Sequence, residues 1–240
     1  ISPVQSSSYP TVLFNAMVKP WTAFPIKGVI WYQGEANVGR SEQYGDLFPA
    51  LITDWRRQWR SDFPFYFVQL ANFMESKKIQ PDSEWAALRE AQTKALKLDQ
   101  VGMAVTIDIG LADDIHPKNK QEVGRRLALV ALAGSYGKNV SSSAPVFQNY
   151  IIKGNKMELD FGQKQDGFQI KGTTLKGFTI AGPDRVFYPA EAMVHDGKII
   201  LSSTEVPAPL AARYGWADNP DCNLYGENGL PVAPFRTDCW

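Results

Sequence analysis

Two short polar motifs carry the residue types that acyl-transfer chemistry needs. The first is the loop at residues 113–117 (DDIHP), which follows the apolar run 101–109 and precedes a predicted helix. An aspartate three residues before a histidine, as Asp113 is before His116, can hold the imidazole Nδ1 and leave Nε2 free to take a proton from a hydroxyl. The same spacing arises by chance, and a loop histidine is often a surface residue or a local cap. Asp114 competes for the imidazole, and the three-residue spacing favours Asp113.

The second motif is Gln33-Gly34-Glu35, which follows the β-rich run 27–32 (KGVIWY). Its position is the carboxyl end of a predicted buried parallel strand, where open α/β sheets collect their ligands. The Gln33 amide can donate a hydrogen bond to a developing oxyanion. Glu35 could orient a histidine, hold a substrate hydroxyl or brace the loop, and a purely polar loop cap is the alternative for both residues.

The remaining histidine and the two cysteines favour structural roles. His195 precedes Asp196-Gly197, which is typical of a hairpin turn. Cys222 and Cys239 could form a disulfide or remain free thiols, and this histidine-poor region lacks the further ligands of a zinc site. A cysteine nucleophile served by His116 is disfavoured by its distance along the sequence. We expect neither a metal nor a cofactor.

Apolar periodicity divides the chain into two parts. The first part alternates helix and strand, which predicts a parallel sheet with helices on both faces and the active loops at one edge. Its predicted strands are 27–32, 65–70 and 102–108, and its predicted helices are 11–21, 43–59, 84–98 and 121–136. Asp82 or Ser83 is the predicted cap of the third helix.

From residue 141 onward the pattern is short strands with turns, which predicts a small β-sandwich. The predicted strands are 146–152, 156–161, 175–181, 185–192 and 198–202, with turns at Asn155, Asp166-Gly167, Gly182-Pro183 and Asp196-Gly197. The tail from Tyr214 to Trp240 is rich in turn residues and aromatics, which favours packing between domains. We therefore predict a domain at 1–140 and a β-rich domain with its tail at 141–240.

Several blocks resemble the sialate O-acetylesterase family of SGNH-type hydrolases. They are residues 28–37 (GVIWYQGEAN), 113–117, 213–220 (RYGWADNP), 223–225 (NLY) and 229–231 (GLP). The resemblance implies an α/β, flavodoxin-like three-layer fold and the removal of O-acetyl groups from sialic acid or another sugar. It also implies that Gln33 helps to form an oxyanion hole and that Asp113 and His116 are the acid and base, with Glu35 in support.

The family's nucleophile is a serine in a loop after the first strand, and no such block occurs in this sequence. The serines at 6–8 precede a helix-like segment and are typical of a linker or cap. The chain thus resembles the later part of a longer polypeptide, with a sheet that is incomplete at its N-terminus. We expect an upstream segment to supply the serine, and this chain alone to be weakly active or inactive.

The composition of the chain argues against nucleic acid and a lipid bilayer as partners. The 240 residues carry 25 basic and 25 acidic side chains, so no basic surplus favours nucleic acid. No apolar run approaches the ~20 residues that span a bilayer. The expected partner is an O-acetylated sugar, and an exported location (periplasmic, secreted or lysosomal) is favoured. The alternative function is a non-catalytic carbohydrate-binding or interaction module on the same fold.

Overall fold

The computed structural model describes residues 9–162 and 167–240. Ser6, Ser7, Ser8 and the turn residue Asp166 lie outside the described residues. In the first part of the chain, strands and helices alternate. They are β1 (Val29–Trp31), α1 (Ser41–Trp59), β2 (Phe65–Val68), α2 (Glu84–Thr93), β3 (Val101–Ala104) and α3 (Lys120–Gly134).

The three strands form a parallel sheet in the order β1-β2-β3, with helices on both faces. Successive side chains of a strand point to opposite faces. Phe65 and Phe67 of β2 accordingly pack in the cluster that contains the buried side chains of α1 and α2. Tyr66 and Val68 pack with the buried side chains of α3. This alternation explains why all four residues of β2 are buried.

The helices begin and end where local chemistry allows. In α1, Tyr44, Phe48 and Ile52 recur every four residues and are buried, which places one apolar stripe against the sheet. Ser83 caps α2, its Oγ accepting a hydrogen bond from the Ala86 amide at 3.0 Å, which confirms one of the two predicted caps. In the described residues, no helix combines the length and the apolar character that crossing a bilayer requires.

The second part of the chain consists of antiparallel sheets. The strands are β4 (Asn149–Lys153), β5 (Lys156–Asp160), β6 (Phe168–Ile170), β7 (Phe178–Ala181), β8 (Phe187–Pro189), β9 (Glu191–His195), β10 (Lys198–Ser202), β11 (Ala211–Tyr214), β12 (Leu224–Gly226) and β13 (Phe235–Arg236). Two four-stranded sheets have the orders β4-β5-β10-β9 and β13-β11-β7-β8, and β12 pairs with β6. Both large sheets contribute side chains to one buried apolar cluster.

Several elements differ from the sequence predictions. The predicted strand 185–192 is two strands, β8 and β9, and the tail contains two strands, β12 and β13, that its turn-rich composition did not indicate. The predicted helix 84–98 ends as α2 at Thr93 and continues as a short 3-10 helix, Lys94–Lys97. The predicted helix 11–21 contains a π-helical stretch, Phe14–Val18, followed by a 3-10 turn, Lys19–Trp21. The two tail strands are three and two residues long, too short for a periodicity to be read from the sequence.

Candidate functional site

The predicted site residues lie on loops that follow the carboxyl ends of the parallel strands. Gln33 and Glu35 follow β1, and His116 belongs to the loop after β3. An isolated β-bridge between Phe73 and Leu111 joins the loop after β2 to the loop after β3. The described structure therefore brings these loops to one edge of the sheet, where open α/β folds bind ligands.

Two further observations concern the surroundings of the histidine loop and of Tyr32. Ile115, next to His116, packs against the same apolar cluster as Tyr32, next to Gln33. The ammonium of Lys120, at the start of α3, lies 5.2 Å from the centre of the Tyr32 ring. Both loops therefore pack against one apolar cluster, and the start of α3 contacts the Tyr32 ring.

The Gln33 side chain is held in a defined orientation. Its Nε2 donates to Asn37 Oδ1 at 2.7 Å, and its Oε1 accepts from the Tyr44 hydroxyl at 3.1 Å. These contacts distinguish the two ends of the amide and leave one N–H of Nε2 without a protein acceptor in the described residues. A fixed amide N–H is the kind of donor that stabilises an oxyanion without reorganisation.

Gly34 sits at a turn that only glycine tolerates. Its φ of 152° lies in a region that L side chains rarely adopt, and a Cβ there would meet Gln92 Nε2 at 3.1 Å. The Gln92 side chain reaches this turn because its Nε2 donates to the Gln33 carbonyl at 3.2 Å while its Oε1 accepts from the Leu70 amide at 3.0 Å. One buried side chain of α2 thereby ties the ends of β1 and β2 together.

His116 is held much more loosely. Its side chain is 85% exposed, and its Nδ1 lies 3.5 Å from Asp114 Oδ1. The same Asp114 oxygen accepts from the His116 backbone amide at 2.9 Å, and this bond is the main cause of a lowered Asp114 pKa. No hydrogen bond joins Asp113 to His116 in the described structure, so the assignment of Asp113 as partner stays a prediction.

Glu35 acts on its surroundings through charge. Burial, reinforced by the neighbouring Glu35 carboxylate, raises the pKa of Tyr32 to about 12. The Tyr32 hydroxyl is buried and has no hydrogen-bond partner in the described residues. A neutral phenol beside the site can donate a hydrogen bond at any physiological pH.

A buried arginine anchors this edge of the sheet. Arg89 of α2 is 0% exposed, and burial lowers its pKa to about 9. Its guanidinium donates to the carbonyls of Leu70 (2.8 Å), Ala71 (2.8 Å), Ala217 (2.7 Å) and Asp218 (2.8 Å). The first two carbonyls follow β2 and the last two belong to the tail, so Arg89 joins the two parts of the chain.

The tail also contacts the loop after β2 directly. Asn72 Nδ2 donates to Asn219 Oδ1 at 2.7 Å, and Asn72 Oδ1 accepts from the Gly110 amide at 2.7 Å. Asn219 Nδ2 in turn donates to the Met74 carbonyl at 2.7 Å. The chain Asn219–Asn72–Gly110 therefore connects the tail to the loop that carries His116. This contact agrees with the packing role expected for the tail.

Asp108 braces the base of the histidine loop. It accepts two hydrogen bonds from Arg126 of α3, at 2.6 and 2.9 Å, and a third from the Tyr225 hydroxyl at 3.0 Å. Asp108 thus fixes the segment between β3 and the loop, although the loop beyond it is exposed.

The cysteines do not contribute to this edge. Cys222 and Cys239 are free thiols, so the open alternative of a disulfide does not hold in this structure. Burial raises the pKa of the Cys222 thiol to about 12, which keeps it protonated and unreactive. Within residues 9–162 and 167–240, no cluster of three or more histidine, cysteine or acidic side chains is arranged to hold a metal ion.

Sequence reasoning missed the residues that position the site: Asn72, Arg89, Gln92 and Tyr225. One local signal was available for α2, because Trp85, Arg89 and Gln92 are spaced i, i+4, i+7 and therefore share the buried face. The partners of these residues lie up to 147 positions away along the chain. No local pattern indicates such pairs.

Comparison with known proteins is consistent with this arrangement. Residues 4–133 match the family model described as carbohydrate esterase, sialic acid-specific acetylesterase. The chain is 32% identical to the sialate O-acetylesterase of Mus musculus over 94% of its length, and 32% identical to that of Homo sapiens over 97%.

A solved structure of a carbohydrate acetylesterase from Xanthomonas citri is 46% identical, with a TM-score of 0.90 over 96% of this chain and 55% of that one. The chain spans about half the length of the curated relatives it matches, 47% of the mouse protein and 50% of the human one. The family match extends over more than half of this chain. The chain therefore belongs to the sialic acid-specific acetylesterase family of carbohydrate esterases.

Proposed function

We propose that this chain supplies the general base and part of the oxyanion hole of a serine esterase that removes O-acetyl groups from sialic acid or a related sugar. The observation that carries the proposal is that the Gln33 loop and the His116 loop both follow carboxyl ends of strands of one parallel sheet and both pack against one apolar cluster. Membership of a family of carbohydrate esterases supports ester hydrolysis as the reaction at this edge of the sheet. The fold that fits these elements is the SGNH-hydrolase fold, a flavodoxin-like three-layer arrangement.

In this mechanism His116 Nε2 removes the proton from a serine hydroxyl as the serine oxygen attacks the acetyl carbonyl. The free N–H of Gln33 Nε2, with backbone amides, donates to the oxyanion of the tetrahedral intermediate. The protonated His116 then gives its proton to the departing sugar oxygen, which leaves the acetyl group on the serine. Water, deprotonated by His116, releases acetate and restores the serine.

We assign the acid to Asp113 and a different role to Asp114. Asp114 accepts from the His116 backbone amide, which is the geometry of a side chain that shapes a turn. The spacing and the family pattern favour Asp113 as the carboxylate that orients the imidazole once the site is complete. Glu35 supports the site through its charge beside Tyr32 and Gln33.

The serine itself is proposed to come from a segment upstream of this chain. The family's serine block is absent from these 240 residues, and the relatives are about twice as long. Removing the serine from a triad costs many orders of magnitude in rate. The chain alone is therefore expected to release little or no acetate.

The test is acetate release from O-acetylated sialic acid by two proteins. One is this chain, and the other is a fusion in which this chain is extended upstream through the serine block expected from the family. We expect hydrolysis only by the fusion, with a loss of roughly 10⁴-fold or more in kcat for His116→Ala. His195→Ala is the matched control, because His195 is also an exposed histidine beside an aspartate and lies on the β9–β10 hairpin.

Robust hydrolysis by the unfused chain, abolished by His116→Ala, would overturn the upstream-serine proposal and place a nucleophile within these residues. A folded fusion that binds the sugar but releases no acetate would instead support the carbohydrate-binding alternative.

A further inference from the structure

A cavity lies between the loop after β2 and the β-rich part of the chain. Its volume is about 390 Å³, which is within the size range of small-molecule sites. Residues 76–81 form one wall, and β7, β8, β11 and the start of the tail contribute to the other. The described residues that line it do not include Gln33, Glu35, Asp113 or His116, so this cavity is separate from the candidate catalytic residues.

The lining of this cavity carries more positive than negative charge. Four of the lining side chains are cationic and one is anionic; they are Lys77, Lys78, Lys176 and Arg213, with Asp221 as the acid. Lys176 Nζ pairs with Asp221 Oδ2 at 2.9 Å. Within the described residues, neither Lys77 nor Lys78, both exposed, has an acidic group within 4.0 Å. An anionic ligand would therefore meet two cations that no protein carboxylate neutralises.

Arg213 adds a buried cation with unused donors. Its side chain is 7% exposed, and its Nε and one terminal nitrogen donate to Asp238 at 2.8 and 2.6 Å. Its other terminal nitrogen donates to the Pro81 carbonyl at 2.8 Å. Because a guanidinium has five N–H groups, one N–H on each terminal nitrogen has no acceptor in the described residues. Asp238 thus balances the charge of Arg213 and leaves two of its donors for a carboxylate ligand.

Aromatic side chains give the same cavity an apolar surface. Phe178 and Phe187 are buried where they line it, and Trp216 is half-buried. The Arg213 guanidinium lies 3.9 Å from the centre of the Phe187 ring and 5.0 Å from the centre of the Trp216 ring. Donors and ring faces are therefore neighbours. The ligand that matches both has a carboxylate attached to a ring with an apolar face, as an acidic sugar does.

The wall at residues 76–81 continues the loop that begins at the end of β2. At the start of this loop, the Asn72 side chain accepts from the Gly110 amide at 2.7 Å, ahead of the histidine motif. Two residues further on, the Met74 carbonyl accepts from Asn219 of the tail at 2.7 Å. One loop therefore contributes both to the cavity and to the contacts that support the candidate catalytic edge.

We infer that this cavity binds a carboxylate-bearing sugar. Lys77, Lys78 and the unused donors of Arg213 hold the carboxylate, and the ring packs against Trp216. The inference goes beyond the proposed reaction, because no residue that lines the cavity takes part in that reaction. It assigns the chain a second carbohydrate site, whose role is binding and not ester cleavage.

The experiment is an NMR titration of the 240-residue chain with the methyl glycoside of N-acetylneuraminic acid, which has the carboxylate but no O-acetyl ester. We expect saturable shifts of the amides in residues 76–81 and 175–179. The double variant Lys77→Gln/Lys78→Gln should weaken binding by about tenfold, because both uncompensated charges are lost. Lys77→Arg/Lys78→Arg should retain the affinity, because it keeps both charges.

The matched control is Lys97→Gln/Lys138→Gln. Both of these lysines are exposed and neither lines the cavity, so the affinity should stay unchanged. An equal loss in this control and in Lys77→Gln/Lys78→Gln would overturn the inference, since the net charge of the chain would then carry the effect. An unchanged affinity of Lys77→Gln/Lys78→Gln would overturn it as well.

Two further probes separate the parts of the ligand. Methyl glucoside has a sugar ring without a carboxylate, and acetate has a carboxylate without a ring. We expect neither to shift the amides of residues 76–81 at the concentration that saturates the sialic acid glycoside. Equal binding of methyl glucoside would refute the role of the cations, and equal binding of acetate would refute the sugar as the ligand.

The position of the shifts decides between the two sites. Shifts confined to residues 33–37 and 113–117 would overturn the inference, because the sugar would then bind only at the candidate catalytic edge. The titration involves no ester cleavage. An inactive fusion would therefore refute the proposed reaction and leave this cavity as a sugar site, whereas an active fusion without shifts at 76–81 would do the reverse.

Discussion

The two sides of the candidate site are supported very differently. On the Gln33 side, the side chain and the turn are held by Tyr44 and by buried side chains of α2. On the His116 side, the imidazole is 85% exposed and has one carboxylate neighbour at 3.5 Å. Asp108 braces the start of the loop but not its tip.

This difference shows that the folding of this chain holds the Gln33 side in place, whereas the described residues leave the His116 side chain exposed. A preorganised donor must be rigid before substrate arrives. A general base requires a partner hydroxyl within hydrogen-bond reach, and in this proposal that hydroxyl belongs to the upstream segment. Variants on the Gln33 side should therefore affect stability or activity, and variants of His116 and of the two aspartates in its loop should affect activity alone.

The largest expected effect separates the two aspartates of the histidine loop. In the serine-bearing fusion, Asp113→Asn should lower kcat by about 10⁴-fold, because the amide cannot stabilise the imidazolium. Asp114→Asn should cost less than about tenfold, since the asparagine Oδ1 can still accept from the His116 amide. Steady-state kinetics and a melting curve measure both. The opposite ranking would transfer the acid role to Asp114.

The next effect concerns stability on the Gln33 side. Arg89→Met should lower the free energy of unfolding by roughly 3–5 kcal/mol, because four carbonyl partners lose a buried cationic donor. Urea unfolding of the 240-residue chain measures it. Arg57→Met is the control, since the Arg57 side chain is 77% exposed, and a change above about 0.5 kcal/mol is not expected. An Arg89→Met variant that loses no more free energy of unfolding than the Arg57→Met control would refute the anchoring role.

Gln33→Leu tests the oxyanion donor itself. In the fusion, kcat should fall by about 10²–10³-fold, the usual cost of removing one such donor. Tyr44→Phe is the matched variant, because it removes the hydroxyl that orients the Gln33 amide while keeping the amide in place. The Tyr44→Phe variant should lower kcat by less than about tenfold. Equal losses in both variants would mean that the loop conformation, rather than the amide donor, carries the effect.

The smallest expected effect is a pH-dependent change in the free energy of unfolding, and it concerns Glu122 at the start of α3. Hydrogen bonds from Arg125 and then Arg126 lower the pKa of Glu122 to about 2. A lowered folded-state pKa contributes stability that is present above the unfolded value of about 4.5 and is lost as the pH falls toward 2. Glu122→Gln should therefore cost less than about 1 kcal/mol at pH 7 and nothing near pH 2. Urea unfolding at both pH values measures the difference, and a cost that persists at pH 2 would contradict it.

Local patterns were sufficient for much of this molecule. The parallel strands, the long helices and the Ser83 cap follow from periodicity and capping chemistry, which act over a few residues. The positions of Gln33 and His116 at strand ends follow in the same way. The tail was less predictable, because its strands are short and its composition is typical of turns.

What this sequence determined by itself is the order of strands and helices, the placement of the polar motifs after β1 and β3, and the family resemblance those motifs carry. What only the tertiary structure decided is how firmly each motif is held. Arg89 reaches a tail carbonyl 129 residues away, and Tyr225 reaches Asp108 across 117 residues. Such pairs form only when the fold brings distant segments together and removes water from the buried polar group. No short stretch of the sequence indicates either event.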